Sequence, residues 1–477
     1  QQLDEQKIAD GLFLNYKEEE RSWFAGVARL PIGSQAIVTP GGSATTRYYD
    51  PYARAPIRFA RDADYVEAAG ALFEEATRAA LQGFSRPAVS LSGGYDSQAV
   101  AAFALKTMPK DQRLLGLTSV PEPGWDGRID QGQFGDESAH VKALAAMHPR
   151  LDLTFVDAAG LNFDHKLDAM FLMAGTAPRN AMNLPWMHEV HARAKTAGCD
   201  VILTGSMGNA SFSFAGTGAM PGWLMNGQWV RLARELWAAR GDHKSFAHAV
   251  AANLVWPLLP GPVANQVKRW RTGQSPDPLE SWCPLNPDWA AAMRVTQRAA
   301  DLGFDPDFRP FRSSRAWRSA IMGNAANESG DVLTAMDMIA GIPSRDPTSY
   351  RPLFEFCFAI PDDQYLRGGK HRWLARRMLK DSVPDIVLNE RRHGSQAADW
   401  YLRLGRQHQQ LAQEIDRLAG DPNMAAMLNL KRLRQALDQW PDEAPMDGGT
   451  TQMTLQLALA RGLSTARFIR YVQGGNG

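Results

Sequence analysis

The stretch Ala88-Val89-Ser90-Leu91-Ser92-Gly93-Gly94-Tyr95-Asp96-Ser97 decides the fold. A short apolar run enters a glycine turn. Val100, Phe103, Ala104 and Leu105 then mark the apolar side of a helix. Two glycines permit positive φ and let the backbone approach a ligand closely. The following helix offers unpaired N–H groups and the positive end of its dipole. Ser92 and Ser97 add hydroxyl donors for phosphate oxygens. Asp96 alone would repel phosphate, so its presence points to Mg2+ between its carboxylate and a pyrophosphate. A chance match to five fixed positions, at roughly one residue in 15 each, is about one in a million per start. The pattern is neither G-x-x-x-x-G-K-S/T nor G-x-G-x-x-G, so γ-phosphate chemistry of the P-loop kind is not indicated. The plainer alternative is a turn whose Asp or Ser caps a helix.

Working outward, strand and helix patterns alternate. Asp64 to Leu81 carries Val66, Ala69, Leu72, Phe73, Ala76 and Ala80 at helical spacing. Leu114–Val120, Leu153–Val156 and Val201–Leu203 read as further strands. Val141–Met147 and a segment ending near Ala197 read as the helices between them. This order predicts an α/β fold, a parallel sheet covered by helices, with a largely helical carboxyl half. Ligands in such sheets sit beyond the carboxyl ends of strands. The loops at 92–97 and 204–209 both fall there, as does Thr118 near the end of the second strand. Residues 1–60 read instead as turns and one or two hairpin strands.

Composition narrows the function classes. The chain has 477 residues, 44% hydrophobic and 22% charged, with a formal net charge of +1. No general pull toward nucleic acid or an anionic membrane follows from that balance. The apolar stretch Phe246–Val267 is interrupted by His248, Asn253, Pro257, Pro260 and Pro262, too broken for a membrane span. Cys199, Cys283 and Cys357 are widely spaced, which predicts buried, reduced thiols and a cytoplasmic setting. Seven tryptophans between 215 and 290 are expected to pack a helical core, with a peptide-gripping surface as the alternative. His188-Glu189-Val190-His191 lacks HExxH spacing and is expected on a helix surface. Lys268-Arg269-Trp270-Arg271 reads as a solvated basic loop, and the Pro/Gly-rich stretches 257–262 and 272–287 as loops able to move over a site.

The loop at 92–97 is of the ATP-pyrophosphatase type, found on the adenine nucleotide α-hydrolase-like fold. With it the chain resembles the asparagine synthetase family, and more closely its relatives that close amide rings, the β-lactam synthetases and lasso peptide cyclases. The resemblance runs from about Ser22 to Trp400. Trp23 to Gly33, ending in Arg47-Tyr48-Tyr49-Asp50, looks like the seam with that family's glutaminase-like amino domain. This implies a remnant of that domain over 1–60 and an amide-forming synthetase domain over 61–477. The family's amino-terminal cysteine nucleophile has no counterpart before Cys199, so this chain alone is not expected to release ammonia from glutamine.

Leu203-Thr204-Gly205-Ser206-Met207-Gly208-Asn209 resembles the family's second nucleotide loop. Asparagine synthetases carry an acidic residue where Ser206 stands, and a metal-binding Asp where Asn209 stands. Asp136-Glu137 resembles an Asp-Glu pair of the family, and equally reads as a helix amino-terminal charge pair. Arg345-Asp346-Pro347 resembles an Arg-x-Pro segment, with Pro343 in place of a usual Glu. Arg372 and Arg376 resemble a Lys and an Arg that face pyrophosphate. In Arg391-Arg392-His393-Gly394-Ser395-Gln396-Ala397-Ala398-Asp399-Trp400, Arg392 takes the place of the catalytic lysine, or else forms a surface ion pair. Arginine cannot act as a base near neutral pH, but it can neutralise pyrophosphate and a tetrahedral intermediate.

The resemblance implies ATP and Mg2+ as cofactors. It places ATP on Leu91, Ser92, Gly93, Gly94, Asp96, Ser97, Thr118, Thr204 and Gly205, the metal on Asp96 and Asn209, and catalysis on Arg372 and Arg392. The Arg-x-x-Gly-x-Gln-Ala-Ala-Asp-Trp run favours a lasso peptide cyclase. Such an enzyme joins an Asp or Glu side chain of a precursor peptide to that peptide's amino terminus, beside a leader-removing protease. Synthesis of asparagine from aspartate and ammonia is the next expectation, and a non-catalytic peptide- or nucleotide-binding scaffold the one after.

Overall fold

The computed structural model describes residues 2–15, 17–240, 245–272, 277–324 and 329–474. Its strands are β1 (Ser34–Thr39), β2 (Gly42–Arg47), β3 (Pro87–Ser90), β4 (Leu114–Ser119), β5 (Gln133–Phe134), β6 (Leu151–Val156), β7 (Val201–Leu203), β8 (Ser344–Arg345), β9 (Leu366–Arg367), β10 (Lys370–His371) and β11 (His393–Gly394). Five of them form one parallel sheet in the order β6-β4-β3-β7-β8. The run before the glycine turn is its middle strand. Ala88 is paired with Leu115 on one side and Ile202 on the other. The chain passes from β3 outward to β4 and β6, then returns to β7 on the opposite flank. That reversal opens a crevice at the carboxyl ends of β3 and β7, where such sheets bind ligands.

The helices that position the site are α1 (Glu5–Leu12), α2 (Asp62–Leu81), α3 (Tyr95–Thr107), α4 (Ser138–Met147), α5 (Leu167–Ala174) and α6 (Leu184–Thr196). α2 buries Tyr65, Ala69, Phe73, Ala76 and Ala80, one helical stripe. Phe73 meets Phe103 of α3 at a tilt and Phe212 edge-on. This cluster covers one face of the sheet with α3, α4 and the helix Arg351–Ala359. Val190 and Ala194 of α6 pack on Ala88, Leu117, Val156 and Ile202 across the other face. Burial on both faces explains why these strands read as short, continuous apolar runs.

A second, larger core is helical and joins the two ends of the chain. Ile8, Ala9, Leu12 and Phe13 sit with Trp400, Leu404, Leu463 and Phe468, and Trp23 meets Phe468 edge-on. The first 25 residues therefore include a helix and share a core with the carboxyl terminus. The β1–β2 hairpin is exposed along nearly its whole length.

Several sequence expectations change. Trp223 and Trp282 are buried, but Trp229, Trp237 and Trp270 are exposed. Trp237 sits on the polar face of a helix whose other face buries Leu232 and Leu236. Lys268–Arg271 is exposed as expected, yet lies on the helix Gly261–Thr272 rather than a loop. Much of 257–262 is likewise helical, and residues 273–276 of the second stretch lie outside the described residues. All three cysteines are free and buried. Among the described residues no helix is long and apolar enough to cross a membrane.

His188 and His191 are buried rather than on a helix surface, because α6 is packed on both sides. His188 Nε2 has no hydrogen-bond partner. Burial, with Lys166 and two neighbouring histidines, pushes its pKa down to about 3. The unfolded chain protonates this ring near pH 6.5 while the folded one keeps it neutral. Its contribution to stability is complete above pH 6.5 and is lost as the pH falls toward 3. Urea unfolding at pH 7 and pH 5 should show a loss of about 2 kcal/mol from this group. His188→Gln should lose that much less over the same interval.

Candidate active site

Gly94 caps α3 without a side-chain hydrogen bond, so first-turn N–H groups of this 13-residue helix remain open at the end of β3. The two serines close the loop on itself. Ser92 N donates to Ser97 Oγ at 2.9 Å, and the two hydroxyl oxygens are 2.8 Å apart. Positive φ is not what the glycines supply here, since neither Gly93 nor Gly94 adopts it. They supply space. A Cβ on Gly93 would lie 3.2 Å from both His140 and Phe134.

The loop after β7 is pressed against Asp96. A Cβ on Gly205 would come within 2.8 Å of the Asp96 backbone, and one on Gly208 within 2.3 Å of Asp96 Cγ. Only glycine fits either position. Ser213 donates to Asp96 Oδ1, and Arg372 reaches Ser213 Oγ at 3.2 Å. Burial raises the pKa of Asp96, and Arg372 and Ser213 oppose that rise. Asp346 holds the same loop from behind. Its carboxylate accepts from Met207 N at 3.0 Å and Thr348 N at 2.8 Å. Burial raises Asp346 to about 6, and nearby Asp96 adds to the rise.

A basic wall faces these loops. Arg372 takes a left-handed φ of 56°, a conformation costing a non-glycine residue about 1 kcal/mol. It starts the helix Trp373–Met378 and lies 5.4 Å from the Tyr95 ring centroid. Arg376 covers the same ring at 5.7 Å and donates to the carbonyls of His371 and Leu388. Arg392 is held by Glu390 through bonds of 2.7 and 3.1 Å. Those bonds to Arg392, with two backbone amides and His140, draw Glu390 down to about 2. The ion pair expected of Arg392 is therefore present, and it lies on the cavity rim.

The Arg392 loop is stitched to the sheet side by a ladder that sequence reading missed. β11 pairs in parallel with β5, and Ser395 N donates to Phe134 O at 2.9 Å. This ladder carries Glu137 to the phosphate loop. Asp136 is exposed and caps Ser138 N at 2.9 Å, whereas Glu137 lines the cavity. Of the acidic pair, Asp136 thus serves the helix terminus and Glu137 faces the cavity.

These walls enclose a cavity of about 1290 Å³, larger than the roughly 300–1,000 Å³ of ordinary small-molecule sites. Leu91, Ser92, Gly93, Gly94, Asp96, Ser97, Thr204, Gly205, Asn209, Arg372 and Arg392 all line it. Thr118 does not. It is wholly buried within β4, and Ser119 and Val120 reach the cavity instead. Beyond the phosphate loop the cavity runs along an apolar wall of Met182, Pro185, Trp186, Val190 and Leu333, with His191 among them. In the Gln-Ala-Ala-Asp-Trp run, Asp399 and Trp400 also serve the core: Asp399 pairs with Arg403 at 2.6 Å, and Trp400 is 1% exposed.

The donor set suits Mg2+, which is commonly held by one or two carboxylates with substrate phosphates and water. Asp96 and the exposed Asn209 would supply the protein oxygens. Among the described residues no cluster of three or more His, Cys, Asp or Glu forms an all-protein metal cage.

No curated protein sequence matches the chain significantly. Among solved structures it is similar to the U34-tRNA thiolase NcsA from Methanococcus maripaludis with its 4Fe-4S cluster, at 14% identity and a TM-score of 0.23, over 58% of this chain and 80% of that one. That superposition is too loose to inform the site. The asparagine synthase family model matches residues 68–464, a span that holds the phosphate loop, its glycine partner loop and the basic wall, and the chain belongs to this family of ATP-utilising, amide-forming ligases.

Proposed function

We propose that the chain splits ATP between the α- and β-phosphates, forms the adenylate of a peptide carboxylate, and closes that peptide into a macrolactam in the manner of a lasso peptide cyclase. One observation carries the choice of a peptide. The cavity that holds the phosphate loop is also lined by the apolar residues Met182, Pro185, Trp186, Val190 and Leu333. Such a wall suits peptide side chains and offers little to the charged ends of free aspartate. Ser206, in the place of an acidic residue of asparagine synthetases, agrees with it.

The α3 N-terminus and the loop amides would cradle the phosphates. Mg2+ on Asp96 and Asn209 would neutralise charge on the departing pyrophosphate. Arg372 and Arg376 would face that charge from the basic wall. Arg392 would leave Glu390 for the pyrophosphate or the tetrahedral oxyanion, an exchange of one carboxylate for another anion. The apolar wall would hold the folded peptide so that amine and acyl carbon meet, replacing a bimolecular encounter by positioning. A leader-removing protease would supply the free amino terminus.

Pyrophosphate release tests this reading. The chain is supplied with ATP and Mg2+, and in turn with aspartate plus ammonia and with a leader-trimmed precursor peptide. Peptide-dependent release is expected. Aspartate-dependent release would make the chain an asparagine synthetase, and nucleotide binding without turnover a scaffold.

A further inference from the structure

Closing an amide from an acyl-adenylate leaves a proton on nitrogen, and the arginines lining this cavity cannot take it. We propose that Glu137 is the proton acceptor for the attacking amine, held between the phosphate loop and the Arg392 loop. The proposal rests on the ligase reading above.

Two contacts place the carboxylate. The Gly93 amide lies close enough to favour its charged form. On its other side Oε1 packs on Gly394, where a Cβ would lie only 2.4 Å away. The β5–β11 ladder holds these segments in register, so Glu137 cannot drift independently of Arg392. Phosphates on the loop, and an acyl group bonded to the α-phosphate, come to this junction.

The other acids and bases of the cavity are engaged or, like Lys370, stand exposed at its rim. Glu390 is bound by Arg392, His140 and two amides. Asp399 is bound by Arg403 and the Glu122 amide. Asp96 belongs to the phosphate loop and accepts from Ser213. Both nitrogens of His191 have partners, Met187 O on one side and Ser344 Oγ on the other. His371 and His393 are exposed at the rim, where water competes. The charged and titratable groups on the segments packed around Glu137 are Asp136 and His140 on its own, Asp96 on the phosphate loop, and Glu390, Arg391, Arg392 and His393 on the third. Among the described residues none of the cations forms an ion pair with Glu137. Burial, with Asp136 beside it, raises its pKa to about 7 against the Gly93 amide, in the range a base working at neutral pH needs.

The step balances without a further reactant. The amine lone pair forms the C–N bond, the acyl C–O bond to AMP breaks with its electrons leaving on AMP, and the N–H proton passes to Glu137 and then to solvent.

Glu137→Gln keeps the shape and the cavity contacts but cannot accept the proton, and Glu137→Asp retains an acid at shorter reach. Both are compared with wild type using the peptide that releases pyrophosphate in the assay above. ATP–pyrophosphate exchange reports adenylation, and macrolactam yield reports the second step. For Glu137→Gln, exchange should stay within about threefold of wild type while amide formation falls about 100-fold. The acidic limb of its pH–rate profile should fall from two titrating groups, Glu137 and the peptide's own amine, to the amine alone, and hydroxylamine, a nucleophile already neutral at pH 7, should restore product as the hydroxamate. Glu137→Asp should recover part of the amide rate. Unchanged amide formation, a parallel loss of exchange, or an acidic limb identical to that of wild type would overturn the assignment. Wild-type protein without peptide-dependent exchange would overturn the ligase reading, and this assignment with it.

Discussion

Asp96→Ala is expected to lower pyrophosphate release by about a thousandfold, roughly 4 kcal/mol of transition-state stabilisation. The size follows from where this side chain sits. Three loops converge on it: its own, the Gly205–Gly208 loop pressed against its backbone and carboxyl group, and the Ser213 hydroxyl. One oxygen is bonded to Ser213, which leaves the other for a cation. Asn209 would offer a neutral amide oxygen, a weaker ligand than a carboxylate, so on the proposed reading the aspartate would carry most of the metal affinity. Raising Mg2+ should not rescue the alanine variant, because the open volume supplies no anionic ligand. Gly208→Ala tests the same point from the other side. A Cβ there would collide with Asp96, and turnover should fall with it. Initial rates across a Mg2+ series decide the matter, and wild-type turnover in Asp96→Ala would remove the metal assignment.

The second large effect concerns stability. Arg403 is 3% exposed and satisfies the Asp399 carboxylate together with the carbonyls of Asp157, Ala158 and Leu161. Asp399 also accepts from Glu122 N, tying the 399–406 helix to the loop after β4. Arg403→Ala leaves a buried carboxylate without its cation and three carbonyls without their donor. Breaking such a pair costs about 3–5 kcal/mol. Urea unfolding should show a loss of that order. Arg403→Lys should recover only part of it, since a single ammonium cannot replace the guanidinium fork. A variant as stable as wild type would show that the Asp399 network contributes nothing net.

The parts of the fold visible in the sequence are those set by neighbours along the chain. The apolar run 88–91, the glycine turn and the helix after it lie within 20 residues and appear where read, although the helix is buried nearly all round rather than along one apolar side. β8 and the β5–β11 ladder are two-residue pairings between distant segments, too short to leave a periodic signal. For that reason the role of Glu137 was out of reach: an adjacent Asp and Glu look alike until a distant strand shows which one turns inward. His188 and His191 read as surface residues because helical spacing cannot reveal a helix packed on both sides. The motif was legible where its physics was mistaken, as with Gly93 and Gly94. Their requirement is room beside His140 and Phe134, a tertiary fact that mimics a torsional one in the sequence.

The central claim is that a carboxylate oxygen attacks the α-phosphate of ATP. The most direct measurement supplies the peptide with its side-chain carboxylate labelled with 18O and follows the label. Adenylation predicts one 18O in AMP for each macrolactam formed, with unlabelled pyrophosphate as co-product. Unlabelled AMP, or ADP with labelled phosphate, would contradict the account.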